Sequence, residues 1–184
     1  MYSIWLLPSE KESKRFQKII DILSELFKTP TFEPHITLYT HIPKLTDELF
    51  YNVSVLAALT NTFEVSIAEI QTSSNYYKSL FTNIRSNHAL ENLQQEVQNL
   101  FPGIDYDFLP HLSLLYGEIE EALKSEKIDA IREDLIQMFQ ASRIAIVCTQ
   151  GEVSDWKIIE TFDFHLDENP HLEFIFDTVK NLKI

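Results

Sequence analysis

Two heptapeptides, FEPHITL (residues 32–38) and FLPHLSL (108–114), repeat one pattern in the two halves of the chain. Each places a proline, a histidine, an aliphatic residue, a hydroxyl and a leucine in the same order. Histidine is scarce, with six in the chain, and two of the six, His35 and His111, hold the same place in the two copies. In an extended strand alternate side chains share a face. His35 and Thr37 then point one way and Ile36 and Leu38 the other. His111 and Ser113 likewise oppose Leu112 and Leu114. Each copy presents an imidazole and a hydroxyl about 7 Å apart along one strand. Pro34 and Pro110 bias the entrance to an extended backbone and suit a strand start.

If the two copies face one another, two imidazoles and two hydroxyls converge on one spot. Imidazole titrates near 6.5, so one ring of a pair serves as general base and the other as general acid. The hydroxyls can donate to the non-bridging oxygens of a tetrahedral anion. Neither a metal nor a covalent nucleophile is required, and the set suits a strained cyclic phosphodiester. One histidine takes a proton from water and the other gives one to the departing ribose oxygen. A single histidine on a half-buried strand reads more simply as a satisfied polar residue. Strand propensity does not explain two copies with matching neighbours. Zinc sites want three or four ligands, and no further His or Cys cluster accompanies the pair. Ser113 lacks the Gly-x-Ser-x-Gly elbow of a serine triad. With three glycines there is neither a Walker A loop nor a Gly-x-Gly-x-x-Gly turn.

The elements that must carry these residues follow from the pattern along the chain. YSIWLLP (2–8) reads as a first strand, and Ser9-x-x-Glu12 as a capping box. Phe16, Ile19, Ile20, Leu23, Leu26 and Phe27 then keep helical spacing, which predicts an amphipathic helix over 9–28. Strands are expected at 35–40, 62–70, 76–84 and 111–117, with helices from Thr46-Asp47 to Leu59 and from Ser86 to Phe101. A helix over roughly 120–140 and a hairpin of 143–150 with 156–164 follow, and 168–182 is weakly helical. Helices interleaved with hairpins point to an α+β fold of mostly antiparallel sheet, with two similar lobes facing one another in a single domain over 1–184.

Composition narrows the function. The chain has 184 residues and a hydrophobic fraction of 45%, ordinary for a soluble core. No apolar run reaches membrane-spanning length. The first residues lack a basic leader, and Cys148 is the sole cysteine, so a cytoplasmic protein without disulfides is expected. Formal charge is −13. Long nucleic acids are held by lysine and arginine on phosphates, so this composition argues against such partners while permitting a small anion in a locally neutralised pocket.

The two His-x-(Thr/Ser)-x motifs resemble those of the two-histidine (2H) phosphoesterase superfamily, and more closely the cyclic phosphodiesterase-like family known from plants and yeast. The resemblance runs in order through YSIWLLP, FEPHITL, YYKSLF, PHLSLLYG and SRIAIVCTQ…DWKIIETFDF. It implies a bilobal fold with pseudo-symmetric lobes and outer helices around a central cleft, and no metal or cofactor. It further implies opening of ADP-ribose 1″,2″-cyclic phosphate to ADP-ribose 1″-phosphate and of nucleoside 2′,3′-cyclic phosphates to 2′-phosphates. Carried over by motif, His35 and His111 are the acid–base pair, and Thr37 and Ser113 hold the phosphate. By analogy His111 activates water and His35 protonates the leaving group. For Tyr116 the resemblance implies a phosphate contact, with a packing role the alternative, since strict alternation turns it off the face that carries Ser113. Trp5 matches a family tryptophan that would stack on a base or line the cleft, while an indole on a first strand is more often part of the core. The segment LYTHIP departs from the family, which has a glycine-containing turn there. The expected partner is a small cyclic phosphate, with no membrane and a monomeric chain.

Tyr77 and Phe81 read as packing residues, and Lys78, Arg85 and Arg143 as cations available to offset substrate charge or as solvated surface residues. His41 is at the pocket edge or in an exposed loop. His88, His165 and His171 have no assigned role, and Cys148 reads as a buried inert thiol. Two alternatives stand beside the cyclic phosphodiesterase: an RNA end-processing phosphodiesterase or 2′,5′-RNA ligase of the same superfamily, and a non-catalytic nucleotide-binding module.

Overall fold

A computed structural model describes residues 1–102 and 106–165, so the weakly helical 168–182 segment and His171 lie outside the described residues. Seven strands and four α-helices occur among the described residues. In chain order they are β1 (Tyr2–Pro8), α1 (Glu10–Phe27), β2 (Ile36–Ile42), α2 (Asp47–Leu59), β3 (Phe63–Thr72), β4 (Leu80–Ile84), α3 (His88–Asn99), β5 (His111–Leu115), α4 (Glu121–Arg132), β6 (Met138–Cys148) and β7 (Lys157–Asp163).

The strands form one antiparallel sheet in the order β2-β1-β6-β3-β4-β5, with β7 added beside β6. The long strands β3 and β6 join its halves. Phe63–Ser66 of β3 pair with β6, and Ile67–Thr72 pair with β4. The sheet curls until its two end strands, β2 and β5, touch. Both histidine motifs sit on those strands, so closure of the sheet is what brings them together. The halves match in register as well: Trp5 of β1 lies opposite Thr37, and Phe81 of β4 lies opposite Ser113.

Alternation sorts the side chains into two faces. Ile4, Leu6, Ile36, Leu38, Leu112, Leu114, Ile144 and Ile146 join the main core beneath the helices, with Phe16, Ile19 and Leu23 of α1. Trp5, Leu7, Ala145 and Val147 pack on the opposite face. Burying that many aliphatic side chains supplies the fold's main driving force at roughly 25 cal/mol per Å².

Several boundaries differ from expectation. The helix expected over 120–140 stops at Arg132. Leu135, Ile136 and Phe139 keep helical spacing, but Met138–Ala141 alternate exposed and buried and pair with β3. Residues 76–78 form a 3-10 turn before β4, because the Asn75 side chain accepts from Tyr77 N at 2.9 Å and competes with strand pairing. Asn87, not Ser86, caps α3 through Leu90 N. Ser9 caps no amide with its side chain; its hydroxyl donates to Glu12, whose carboxylate also accepts from Gln140 N and so ties α1 to β6.

Gly117 ends the β5 motif at φ +129, and a Cβ there would lie 2.7 Å from the Thr29 methyl. Its N–H donates to Tyr76 O at 2.8 Å. Gly117→Ala is expected to lower unfolding stability by about 1–3 kcal/mol, from the left-handed backbone and the contact together. Denaturant titration checks it; a change within about 0.5 kcal/mol, the size of an ordinary surface substitution, would show the turn to be more tolerant.

Candidate active site

Pro34 and Pro110 do more than start strands. The residue before a proline is held extended, and here its carbonyl meets the following histidine. His35 Nδ1 lies 2.6 Å from Glu33 O, and His111 Nδ1 lies 2.8 Å from Leu109 O. A carbonyl only accepts, so both Nδ1 atoms carry the proton and donate. Each neutral ring therefore keeps its Nε2 lone pair as the working nitrogen, with the ring fixed against rotation. The x-Pro-His order repeated in the sequence is the local code for this lock.

The flanking aromatics clamp the rings further. Trp5 stacks on His35 with centroids 3.6 Å apart and planes 7° apart, and Phe32 meets the same ring edge-on. Phe81, the residue matching Trp5 in the other half, meets His111 edge-on at 5.8 Å. Trp5 lines the cleft as expected, but one ring face is given to His35 and not to a base. Phe81 is a packing residue in the sense that what it packs is a motif histidine.

Both imidazoles prefer to be neutral in the ligand-free protein. His35 is 6% exposed. Burial pushes it down to about 3; the Glu33 carbonyl opposes this and the charge of His111 adds to it. His111 is half-buried and also lowered, first by burial and then by the Lys78 ammonium, against the pull of the Leu109 carbonyl.

Thr37 lines the cleft between these rings, whereas Ser113 lies beneath it at 4% exposure. The Ser113 hydroxyl donates to Tyr77 O at 3.0 Å. Tyr116 in turn hydrogen-bonds Ser113, and burial raises its phenol well above the usual range. Its ring stacks on Phe32 at 3.6 Å. β5 ends at Leu115, which releases Tyr116 from strict alternation and turns it into the cleft beside Ser113.

The cleft has a volume of about 420 Å³, within the range of small-ligand sites. The residues given a site role from sequence are thus gathered here: His35, Thr37, His111 and Tyr116 with Trp5 on the wall, and Ser113 underneath. Of the three cations considered, only Lys78 lines it. Arg143 donates to Pro8 O and Arg85 to Ile67 O. His41 lines the rim at φ +63, so a histidine occupies the left-handed conformation in the LYTHIP segment. Sequence reading passed over Trp156, and it took the half-exposed Tyr77 for packing; both line the cleft. Their positions depend on two 3-10 turns, which apolar periodicity does not reveal. Cys148 is half-buried and free rather than sealed. Among the described residues no group of three His, Cys, Asp or Glu side chains is placed to hold a metal, and no helix is long and apolar enough to cross a membrane.

A profile for cyclic phosphodiesterase-like proteins matches residues 1–164. The chain belongs to that family. It is 26% identical over 168 residues to the cyclic phosphodiesterase of Arabidopsis thaliana, covering 89% of this chain and 91% of that one. Among solved structures it is similar to the Thermus thermophilus protein TT0787, with a TM-score of 0.58 at 14% identity over 90% of this chain and 98% of the other. Escherichia coli LigT, solved with NADP+, gives a TM-score of 0.58 at 12% identity over 89% of this chain and 96% of the other. At such identities the likeness speaks for the fold, that of the 2H phosphoesterases. This cyclic phosphodiesterase-like chain is an enzyme of phosphodiester chemistry, and the paired histidines are its candidate acid–base machinery.

The depressed histidines set a sign for stability against pH. Between about 3 and the ordinary 6.5 the unfolded chain binds a proton that folded His35 refuses. Its contribution is complete above pH 6.5 and is lost as pH falls towards 3. His35→Gln is expected to flatten the fall in unfolding free energy over this window, as measured by denaturant titrations at stepped pH. An unchanged slope would contradict the assigned burial.

Proposed function

We propose that the chain hydrolyses small cyclic phosphodiesters without a metal ion, opening ADP-ribose 1″,2″-cyclic phosphate and nucleoside 2′,3′-cyclic phosphates, the latter to 2′-phosphates. One observation carries the reading: two imidazoles, each locked through Nδ1 to its own chain, offer Nε2 to one cleft from the touching ends of a pseudo-symmetric sheet. The acidic composition supports a small substrate over a long nucleic acid, since among the described lysines and arginines only Lys78 lines the cleft.

Protons balance over the cycle. The cyclic phosphate enters as a monoanion, and its charge beside buried imidazoles favours their protonated forms. His35, the more deeply buried ring, takes up a proton as the anion arrives. His111, the ring nearer solvent, accepts a proton from water through Nε2 as the water oxygen bonds to phosphorus. The bond from phosphorus to the ring oxygen breaks, and His35 Nε2–H gives that oxygen its proton. His111 then holds the proton taken from water, His35 has given its own to the departing oxygen, and exchange with solvent restores the pair. Thr37 donates to a non-bridging oxygen. Tyr116 and Ser113 serve another once the Ser113 hydroxyl turns from the Tyr77 carbonyl. Lys78 balances charge at the same end.

In chelator, a panel of cyclic phosphates followed by phosphorus NMR should show hydrolysis, with nucleoside 2′-phosphate as the product of the 2′,3′-cyclic substrates. His35→Ala and His111→Ala should each lose about 10²–10⁴-fold in turnover. Loss of turnover in chelator, or near wild-type rates in both variants, would overturn the reading. Preference for an RNA ending in a cyclic phosphate over the mononucleotide would redirect it to RNA ends.

The pH dependence divides in the same way. kcat/KM reports the free rings and kcat the occupied site. With both rings depressed when empty and raised by the bound anion, the kcat optimum should lie at higher pH than the kcat/KM optimum. Coincident optima would remove the substrate-linked proton.

A further inference from the structure

Lysine is rarely buried unless its ammonium is paired, because desolvating an unpaired charge is costly. Lys124 of α4 is 2% exposed, and its Nζ donates to Ser73 O at 2.7 Å. It also pairs at 3.1 Å with Glu121 one turn earlier, and Glu121 accepts a hydrogen bond from Thr72. The two fixed points, Thr72 and Ser73, are consecutive residues at the end of β3. Packing alone does not call for an ammonium here, since an apolar side chain of similar volume is often as stable where a charge is buried, and Glu121 itself is exposed.

What the ammonium holds is the segment from Ser73 to Ser79. Ser73 is bonded at every polar atom. Its carbonyl accepts from Lys124, its N–H donates to Ser79 O at 3.1 Å, and its hydroxyl donates to Lys78 O at 2.6 Å while accepting from Asn75 N. The segment meets the catalytic strand at two points. Tyr77 O accepts the Ser113 hydroxyl at 3.0 Å, and Tyr76 O accepts Gly117 N at 2.8 Å, which brackets Tyr116. The same segment delivers Lys78, whose Nζ lies 4.3 Å above the Phe81 ring that abuts His111. The chain of contacts therefore runs from a buried ammonium on an outer helix, through one serine, to a cation and a carbonyl beside the motif His111-x-Ser113.

We propose that Lys124 is a positioning residue of the reaction: its ammonium fixes the 73–79 segment and thereby sets the Lys78 ammonium against His111 and the Tyr77 carbonyl against Ser113. The role in turnover rests on the hydrolytic reading above; the placement of Lys78 beside His111 does not. If the clamp is released, Lys78 moves off and its pull on His111, one of the causes that depress the imidazole, weakens.

The test titrates the ring protons of His35 and His111 by NMR in wild type, Lys124→Met, Lys124→Arg and Ser73→Ala, without substrate, and measures turnover of a 2′,3′-cyclic nucleotide alongside. Lys124→Met should raise the His111 midpoint with a smaller change at His35, and lower kcat by about 10- to 100-fold, as misplacement of a catalytic group does. Lys124→Arg keeps a donor for the Ser73 carbonyl and should restore both readouts in part. Ser73→Ala removes the tie to Lys78 O while leaving the fold's ion pair in place, and should move His111 the same way even if Lys124→Met fails to fold. An unmoved His111 midpoint in folded Lys124→Met, or in Ser73→Ala, overturns the proposal and leaves Lys124 a stabilising residue only. A shifted midpoint in a protein that hydrolyses no cyclic phosphate would uphold the clamp and refute the hydrolytic reading.

Discussion

A histidine that donates Nδ1–H to the carbonyl two residues back can neither flip nor change tautomer without breaking that bond. This short local contact, made twice, is the constraint on which the site depends. It converts two ordinary imidazoles into two Nε2 atoms of fixed direction. The preceding proline holds the accepting carbonyl, the strand fixes the direction of the side chain, and an aromatic ring from the neighbouring strand closes over each imidazole. The curl of the sheet does the remaining work by bringing the two end strands into contact. Local chemistry orients the groups and topology unites them.

The two halves are alike in plan and unlike in environment. His35 lies deep beneath an indole; His111 lies nearer water with an ammonium at hand. A symmetric pair would compete for one proton. Unequal burial separates the rings, as the proposed division into acid and base requires. The hydroxyls diverge in the same manner, since Thr37 faces the cleft and Ser113 rests on a backbone carbonyl with Tyr116 bonded to it. The net negative charge is no obstacle to the anionic ligand proposed, because imidazole, hydroxyl and Lys78 line the cleft.

Much of this was legible in the sequence because it follows from short-range rules. Period-two alternation placed His35 and Thr37 opposite Ile36 and Leu38, and the repeat of the motif announced a second strand doing the same. The extent of α1 and the start of α2 followed from apolar spacing and from Thr46. The rest depends on contacts that no local rule carries. The early end of the 120–140 helix reflects pairing of Met138–Ala141 with β3, a strand far earlier in the chain. Trp156 and Tyr77 reach the cleft through 3-10 turns with little apolar pattern of their own. Lys124 carries no distinguishing signal in the sequence, and only the packed structure shows its ammonium sealed against Ser73.

The central claim is that both Nε2 atoms act on one phosphoryl group. A crystal structure of the protein with a bound nucleoside 2′-monophosphate tests it most directly. The account predicts a single phosphoryl group with oxygens within hydrogen-bonding distance of His35 Nε2 and His111 Nε2, both Nδ1–carbonyl bonds intact. A phosphoryl group held by one histidine alone, or seated away from both, would contradict it.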